Sequence, residues 1–252
     1  MVTLHDINYE KFDIAHGDTL IDPAHWDDEP FEAIVSNPPY SIEWEGDSNP
    51  LLISDPRYSP AGVLAPRGYA DLAFTMHILS WLAVNGTAAI VEYPGVLSRA
   101  GAERKIRKYL IDNNYVDAVV QLPADMFFGT PVRTCIIVLK KSKKDNSVLF
   151  VDASGEFERV GIKNKLAAGN QKHILDAITK RVDVVHFARL VPNDDLETSN
   201  YNLSPTFHVE PDNTGAIIDV SALNERVIDI EERSSALRAS IADFIRDWEG
   251  QS

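Results

Sequence analysis

The sequence predicts an α/β protein with a parallel sheet that ends in one antiparallel strand. Over the first 140 residues, short β-type runs alternate with helical patterns, which is typical of a parallel sheet. The segment from Pro123 to Arg133, between the last two strands of this series, is too short for the helical crossover that parallel neighbours need. A heptad pattern at the C-terminus adds a helical tail.

The predicted elements of the sheet follow in order along the chain. Residues 31–36 form an apolar strand that stops at Asn37-Pro38-Pro39. Apolar residues then recur at three- and four-residue steps from Tyr69 to Val84, which predicts a helix that Asn85-Gly86 ends. The next predicted elements are a strand at residues 87–91, an amphipathic helix at 102–113, and strands at 116–122 and 134–139.

Weaker patterns cover the following part of the chain. They predict a solvated turn at residues 140–146, a strand at 147–151, a helix at 170–180 and a polar loop at 194–200.

The C-terminal tail carries the strongest periodicity of the sequence. Its apolar seam consists of Val220, Leu223, Val227, Ile230, Leu237, Ile241, Phe244 and Trp248. These steps of three and four residues, running across the polar Ser234, make a heptad seam about four repeats long. Such a seam packs against another protein or against the chain's own domain, and periodicity alone does not decide between them.

Composition excludes several classes of protein. The chain has 252 residues, 44% of them hydrophobic, and a net charge of −14, which argues against coating nucleic acid through bulk positive charge. DNA held by another subunit remains compatible with this charge. No apolar run approaches the roughly 18–20 residues of a membrane helix and no signal-peptide pattern is visible, so no membrane association is expected.

Cysteine and histidine usage agree with a cytoplasmic protein. The lone Cys135 lies in an apolar strand, where it is expected to be a small hydrophobe in a reduced compartment. The seven histidines show no metal-ligand spacing, so no metal site is predicted.

Asn37-Pro38-Pro39-Tyr40 places a rigid polar loop at the carboxyl end of a buried strand, where open α/β sheets bind ligands. Because the prolines restrict φ, the Asn37 amide oxygen and the Pro38 carbonyl can both accept hydrogen bonds from one planar NH₂ group. Such bonds would orient an amino nitrogen towards an activated methyl donor, with Tyr40 as a stacking face. The alternative is an ordinary turn after a strand.

This tetrapeptide resembles the signature of amino-group methyltransferases that use S-adenosylmethionine. DNA adenine methyltransferases and the enzymes that methylate a glutamine of release factors share it. The surrounding sequence is similar to the modification subunit of type I restriction-modification systems. The segments that carry this similarity are residues 16–20, 70–74, 95–99, 106–110, 122–130, 135–141 and 199–205.

The resemblance implies roles for the four residues of the signature as the catalytic loop. Asn37 and Pro38 would hold the N6 amine of a target adenine. Pro39 would keep the loop rigid. Tyr40 would stack on the target base after it is swung out of the duplex.

The resemblance also implies a cofactor site. Asp18 matches an acidic residue that bonds the adenine amine of S-adenosylmethionine, and Phe74 matches an aromatic residue near that adenine. Asn37 would border the same site. Phe127, with Phe128 as the second choice, would back the flipped base. Taken singly, Asp18 is typical of a turn and the phenylalanines of a core.

The chain departs from the family before the signature. Family members carry upstream a helical domain and a Gly-rich first strand and turn for the methionine part of the cofactor, and no Gly-x-Gly follows a strand before Asn37. We therefore expect a C-terminal portion with an incomplete Rossmann-like methyltransferase sheet, and an exposed edge beside the strand that ends at Ser36. The expected parts are the catalytic sheet (1–145), a family-specific α/β extension (146–210) and the heptad helix (211–252).

The leading hypothesis is site-specific DNA adenine N6 methylation as part of a type I complex. DNA, the specificity and restriction subunits and a second modification subunit are the expected partners, and the isolated chain is expected to be inactive. The alternative hypothesis is an assembly module that docks on the specificity subunit without catalysis. Methylation of a protein glutamine is a third, less favoured hypothesis.

Overall fold

In a computed structural model of the chain, the described residues are 13–25, 29–127 and 131–212, with helical positions 224, 227–231, 233–235 and 237–238. The chain divides into two compact units, Met1–Pro211 and Asp212–Ser252.

The first unit is a mixed α/β structure. Its described strands are Phe31–Ser36 (β1), Leu82–Glu92 (β2), Val116–Gln121 (β3), Cys135–Lys140 (β4), Ser147–Asp152 (β5), Glu158–Val160 (β6), Lys163–Lys165 (β7) and Ala188–Pro192 (β8). Its described α-helices are Pro50–Ile53 (α1), Asp71–Trp81 (α2), Ala102–Asp112 (α3), Ala168–Lys180 (α4), Asn193–Thr198 (α5) and Pro205–His208 (α6).

Six strands form the main sheet in the order β1-β2-β4-β3-β5-β8. The pairs β1–β2 and β3–β5 are parallel, whereas β4 runs antiparallel to both β2 and β3. The predicted α/β class and the antiparallel orientation of the last strand pair are therefore confirmed. The sheet also continues through β5 and β8, since β8 pairs antiparallel with β5.

The boundary between α2 and β2 differs from the prediction. The helix ends at Trp81 and the strand begins at once with Leu82, so the prediction of a helix to Val84 with a terminating Asn85-Gly86 was wrong. The pairing of β1 with β2 is irregular near its start, where Phe31 pairs with Leu82. This irregularity accommodates the extra residues at the start of β2. A Cβ at Gly86 would lie 2.8 Å from the Phe31 carbonyl oxygen, so this glycine permits a close strand approach.

Two polar segments are more ordered than the sequence indicates. Residues 193–198 form α5 and not a loop, because Asn193 and Leu196 are buried and anchor the helix. The turn at residues 140–146 is not simply solvated. Lys143 Nζ donates hydrogen bonds to the carbonyls of Val116 and Ser147 and so fixes the turn to the sheet.

The sheet separates two apolar clusters, because alternate residues of each strand point to opposite faces. The larger cluster includes Leu72 of α2 and Leu110 of α3. The smaller cluster includes Val120 and Val151 of the sheet and Ile174 of α4. Helices α2 and α3 therefore cover one face, and α4 covers the other.

Strand β1 is an edge of the sheet. Among the described residues it pairs with β2 alone. Val35, one residue before the end of this strand, is 88% exposed. The expected exposed edge beside the strand that ends at Ser36 is therefore confirmed for this part of the chain.

The second unit is helical at each of its described positions from 224 onward. Within it, Val227, Ile230 and Leu237 of the predicted seam are 51%, 62% and 63% exposed. Arg233 forms an ion pair of 3.2 Å with Asp229 one turn earlier. The remaining predicted seam residues lie outside the described residues, namely Val220, Leu223, Ile241, Phe244 and Trp248.

Candidate active site

The signature loop begins at the carboxyl edge of the sheet. Because β1 and β2 are parallel and Ser36 pairs with Ile90, Asn37 and Glu92 emerge at the same edge. The antiparallel β4 begins here too, with Cys135 opposite Glu92. This edge is where open α/β sheets bind ligands.

Within the loop, exposed and buried residues alternate. Asn37 and Pro39 are exposed, Pro38 is buried and Tyr40 is half-buried. The Tyr40 hydroxyl donates a hydrogen bond of 2.6 Å to Asn37 Oδ1. An amide oxygen has two lone pairs, so Asn37 can accept a second hydrogen bond from a ligand.

Asp71, the first residue of α2, holds the end of this loop. Its Oδ1 accepts the main-chain N–H of Ser41 at 2.8 Å, and Ser41 has the left-handed φ of 51°. The N–H of Ala70 donates to the Ile42 carbonyl at 3.0 Å beside it. Sequence reasoning assigned no role to Asp71, although an aspartate that opens a predicted helix is a recognisable signal.

Helix α2 also carries Phe74, which follows Asp71 by three residues and so lies near its face of the helix, and His77 in the next turn. Phe74 is half-buried against the larger apolar cluster. The His77 Nδ1 lies 3.2 Å from Nη1 of Arg57. Burial and the charge of Arg57 lower the pKa of His77 to about 4, so the ring is neutral at neutral pH.

Asp18 lies in a tight turn before β1, and its side chain is exposed. Its Oδ1 accepts the N–H of Leu20 at 3.0 Å, and its carbonyl accepts the N–H groups of Ile21 and Asp22. The second carboxylate oxygen can accept a hydrogen bond from an amino group. Asp18 thus offers an acceptor, and Phe74 an aromatic face, of the kinds that an adenine group needs.

Glu92 is a buried acid at the same sheet edge as the signature loop. Glu92 is fully buried, and its Oε1 accepts the Thr75 hydroxyl at 2.9 Å. Burial, together with the nearby negative charge of Asp71, raises the pKa of Glu92 well above its ordinary value. Burial, and to a smaller extent the nearby Glu92 and Cys135, raises the pKa of Tyr40. Its hydroxyl therefore stays protonated and can donate a hydrogen bond.

Glu92 was also missed by sequence reasoning. A charged residue that ends a buried strand, at the edge where the signature begins, was the available signal. Cys135 behaves as predicted, because it is fully buried and donates its thiol to the Glu92 carbonyl at 3.5 Å.

Phe127 follows β3 and is partly buried. It packs with the smaller apolar cluster, which contains no residue of the signature or of α2. Its carbonyl accepts a hydrogen bond of 2.7 Å from Lys163 Nζ. Phe128, the second choice for the same role, lies outside the described residues. The structure thus attaches the signature loop and, through Arg57, the Asp18 turn to α2, the helix that carries Phe74. The role of Phe127 stays a prediction.

Over the parts of the chain that the structure describes, no group of three or more His, Cys, Asp or Glu residues could hold a metal ion. Among those same parts, no helix has the length and apolar character needed to cross a membrane.

Comparison with known proteins relates the chain to DNA methylases. Residues 1–216 match the family model described as N-6 DNA Methylase. The methylase subunit of the type I restriction enzyme MpnII from Mycoplasma pneumoniae is 42% identical over 97% of this chain and 46% of its own length. The corresponding MjaVII subunit from Methanocaldococcus jannaschii is 26% identical over 96% of this chain and 43% of its own length.

A solved structure gives the same relationship. The methyltransferase subunit of a type I restriction-modification system from Streptococcus thermophilus superposes with a TM-score of 0.79 and 36% identity, over 83% of this chain and 45% of that chain. The chain therefore spans about half the length of the relatives that it matches.

Proposed function

The chain belongs to the N-6 DNA methylase family, and on that basis we propose that it is the C-terminal part of a type I modification subunit that methylates adenine N6 in DNA. The observation that carries this proposal is the position of Asn37-Pro38-Pro39-Tyr40 at the carboxyl edge of the sheet, held by Asp71 through Ser41. An ordinary turn after a strand does not require a fully buried carboxylate, here that of Asp71, to fix its end.

In the proposed reaction, the chain's residues bind and orient the amine. The N6 amine of a flipped adenine donates one hydrogen bond to Asn37 Oδ1 and one to the Pro38 carbonyl, while Tyr40 stacks on the ring. Both bonds direct the nitrogen lone pair away from the loop and towards the methyl donor, which lowers the entropic part of the barrier. The exposed edge around Asn37 lets the displaced proton pass to water.

S-adenosylmethionine is the methyl donor in this proposal. Asp18 would accept a hydrogen bond from its adenine amine, and Phe74 would pack beside the ring. These residues account for the adenine end alone. The other parts of the donor would need residues from the half of the relatives that this chain does not span.

Among the described residues β1 pairs on one side only, and its other edge suits the part of the relatives that this chain does not span. Its backbone N–H and C=O groups can accept a further strand, which would extend the sheet next to the signature loop. We therefore propose that methyl transfer requires this remainder and that the isolated chain is inactive.

The proposed setting is a cytoplasmic complex with DNA, a specificity subunit, a restriction subunit and a second modification subunit. The proposed contact with the specificity subunit is the C-terminal helix, where the seam residues Val227, Ile230 and Leu237 are exposed. This observation also supports the second candidate function, a docking module without catalysis.

Reconstituted methyl transfer separates the two candidates. The chain would be combined with the remaining half of the subunit, the specificity subunit and DNA, and N6-methyladenine would be measured by nucleoside mass spectrometry. The catalytic proposal predicts product, and it predicts that Asn37→Ala reduces it. Asn113→Ala, which changes another exposed asparagine at the end of α3, is the matched control. A complex that assembles and yields no product would favour the docking module.

A further inference from the structure

A buried arginine ties the Asp18 turn to the segment that follows the signature loop. Arg57 is 3% exposed. Its Nη1 donates to the Thr19 carbonyl at 3.0 Å, and its Nη2 donates to the Leu20 carbonyl at 2.8 Å. The hydroxyl of Tyr58 donates to the same Leu20 oxygen at 3.0 Å. Two adjacent residues therefore bind the two carbonyls that directly follow Asp18.

Arg57 is itself fixed in place. Asp55 accepts from its Nε at 3.0 Å and from its Nη2 at 2.7 Å, which makes a two-point ion pair. Its Nη1 lies 3.2 Å from His77 Nδ1 on α2, the helix that also holds the signature loop. Tyr58 packs edge-on against Trp44, with ring centroids 5.4 Å apart. The Asp18 turn is thus attached to a rigid support.

Arg57 and Tyr58 hold the main chain next to the exposed side chain of Asp18. The Asp18 carboxylate is exposed, yet its Oδ1 is bonded to the Leu20 N–H, and the Leu20 carbonyl is bonded to Arg57 and Tyr58. Both peptide groups of Leu20 are therefore held. This fixes the direction of the carboxylate before any ligand arrives, and a ligand then binds without the entropic cost of ordering the turn.

We infer that Arg57 and Tyr58 are positioning residues that preset the Asp18 carboxylate to accept a hydrogen bond from the amino group of an adenine nucleoside. This inference rests on the proposed function, because it takes the adenine of the methyl donor as the ligand of Asp18. In this role neither residue needs to contact the ligand. They act through the main chain of Thr19 and Leu20.

The experiment measures ligand binding by the chain without any need for catalysis. Saturation-transfer NMR titration with S-adenosylhomocysteine suits weak binding and gives a Kd for each variant. Tyr58→Phe removes a single hydroxyl and keeps the ring contact with Trp44, so it is expected to fold. Because Tyr58→Phe loses one hydrogen bond, it should raise the Kd of S-adenosylhomocysteine about fivefold. Arg57→Lys, which cannot reach both carbonyls and Asp55, should raise Kd at least as much.

Arg181→Lys is the matched control. Arg181 also donates to two main-chain carbonyls, those of Asp117 and Ser147, and to the carboxylate of Asp145. This substitution should leave the Kd of S-adenosylhomocysteine unchanged. A second readout compares adenosine with inosine, whose ring carbonyl cannot donate to Asp18. The wild-type chain should prefer adenosine, and Arg57→Lys should lose that preference, which a loss of stability alone would not produce.

The outcomes are distinguishable. If Asp18→Ala weakens binding whereas Tyr58→Phe and Arg57→Lys bind as the wild type does, the positioning role is overturned and the proposed cofactor site stands. If Asp18→Ala also binds like the wild type, the proposed role of Asp18 fails and the inference fails with it. No saturation transfer to the wild-type chain at millimolar ligand would equally overturn the inference, since a preset turn must retain measurable affinity.

Discussion

The hydroxyl of Tyr40 donates a 2.6 Å hydrogen bond to Oδ1 of Asn37, the oxygen proposed to accept the target amine. The two polar side chains of the loop are therefore paired without a base present. A bound amine can use the second lone pair of the same oxygen, or it can displace the hydroxyl. Substitutions at Tyr40 separate the contribution of its ring from that of its hydroxyl.

Tyr40→Phe and Tyr40→Ala are expected to differ in base retention. Tyr40→Ala should weaken binding of a flipped base by about 1–3 kcal/mol, the range for stacking on an aromatic side chain. Tyr40→Phe keeps the ring and should lose little of this. Fluorescence of 2-aminopurine at the target position of DNA, in the reconstituted complex, measures retention. Equal losses in both variants would assign the role to the hydroxyl and not to stacking.

Asn37→Ala is expected to reduce methyl transfer by about two to three orders of magnitude, or about 3–4 kcal/mol, as loss of one preorganised polar group does. The physical reason is that the amine loses one of its two acceptors and rotates freely. Single-turnover rates in the reconstituted complex measure this effect, with DNA affinity checked separately. Wild-type rates with intact DNA binding would remove the loop from the mechanism.

The chain alone is expected to bind S-adenosylmethionine weakly. Asp18, Phe74 and the signature loop are the proposed contacts in this chain, and each hydrogen bond contributes on the order of 1 kcal/mol. Titration calorimetry should therefore give an affinity weaker than low-micromolar, a range that corresponds to roughly 8 kcal/mol. A low-micromolar value would show that this half holds the donor without the remainder.

Glu92 is expected to make the chain less stable as the pH rises. Burial raises its pKa in the folded state, so the folded chain keeps a proton that the unfolded chain releases above about pH 4.5. The free energy of unfolding should then fall with increasing pH, by up to roughly 1.4 kcal/mol per unit, until the pH reaches the folded-state pKa. Glu92→Gln is neutral and similar in shape, so it should abolish this slope.

Urea unfolding of both proteins from pH 5 to 8 tests this expectation. The difference between wild type and Glu92→Gln isolates Glu92 from other groups, including His77, whose lowered pKa acts in the opposite direction. Parallel pH curves would mean that Glu92 is ionised in the folded chain.

The sequence predicted the sheet better than the supports of the site. The position of strand β1 and its polar terminus were predictable, because an apolar run followed by Asn37-Pro38 is a local signal. The prediction that this strand is buried was wrong, since none of its six residues is buried at the sheet edge. Helix α2 was predicted too long, since the fit of Gly86 against β1 is a tertiary contact. Arg57 and Asp71 hold turns that lie 37 and 30 residues away along the chain, and no local pattern shows such partners.

The helix of the second unit is expected to bind the specificity subunit along its seam. Ile230 lies on the seam and is 62% exposed, whereas Ile228 lies off the seam and is 49% exposed, so the two form a matched pair. Ile230→Glu should reduce co-purification with the specificity subunit, because it places a charge in a desolvated contact, and Ile228→Glu should not. Deletion of residues 221–252 should abolish co-purification and leave the thermal unfolding of the remaining chain unchanged. Undiminished association after the deletion, or loss of solubility of the remaining domain, would mean that the seam packs on its own chain.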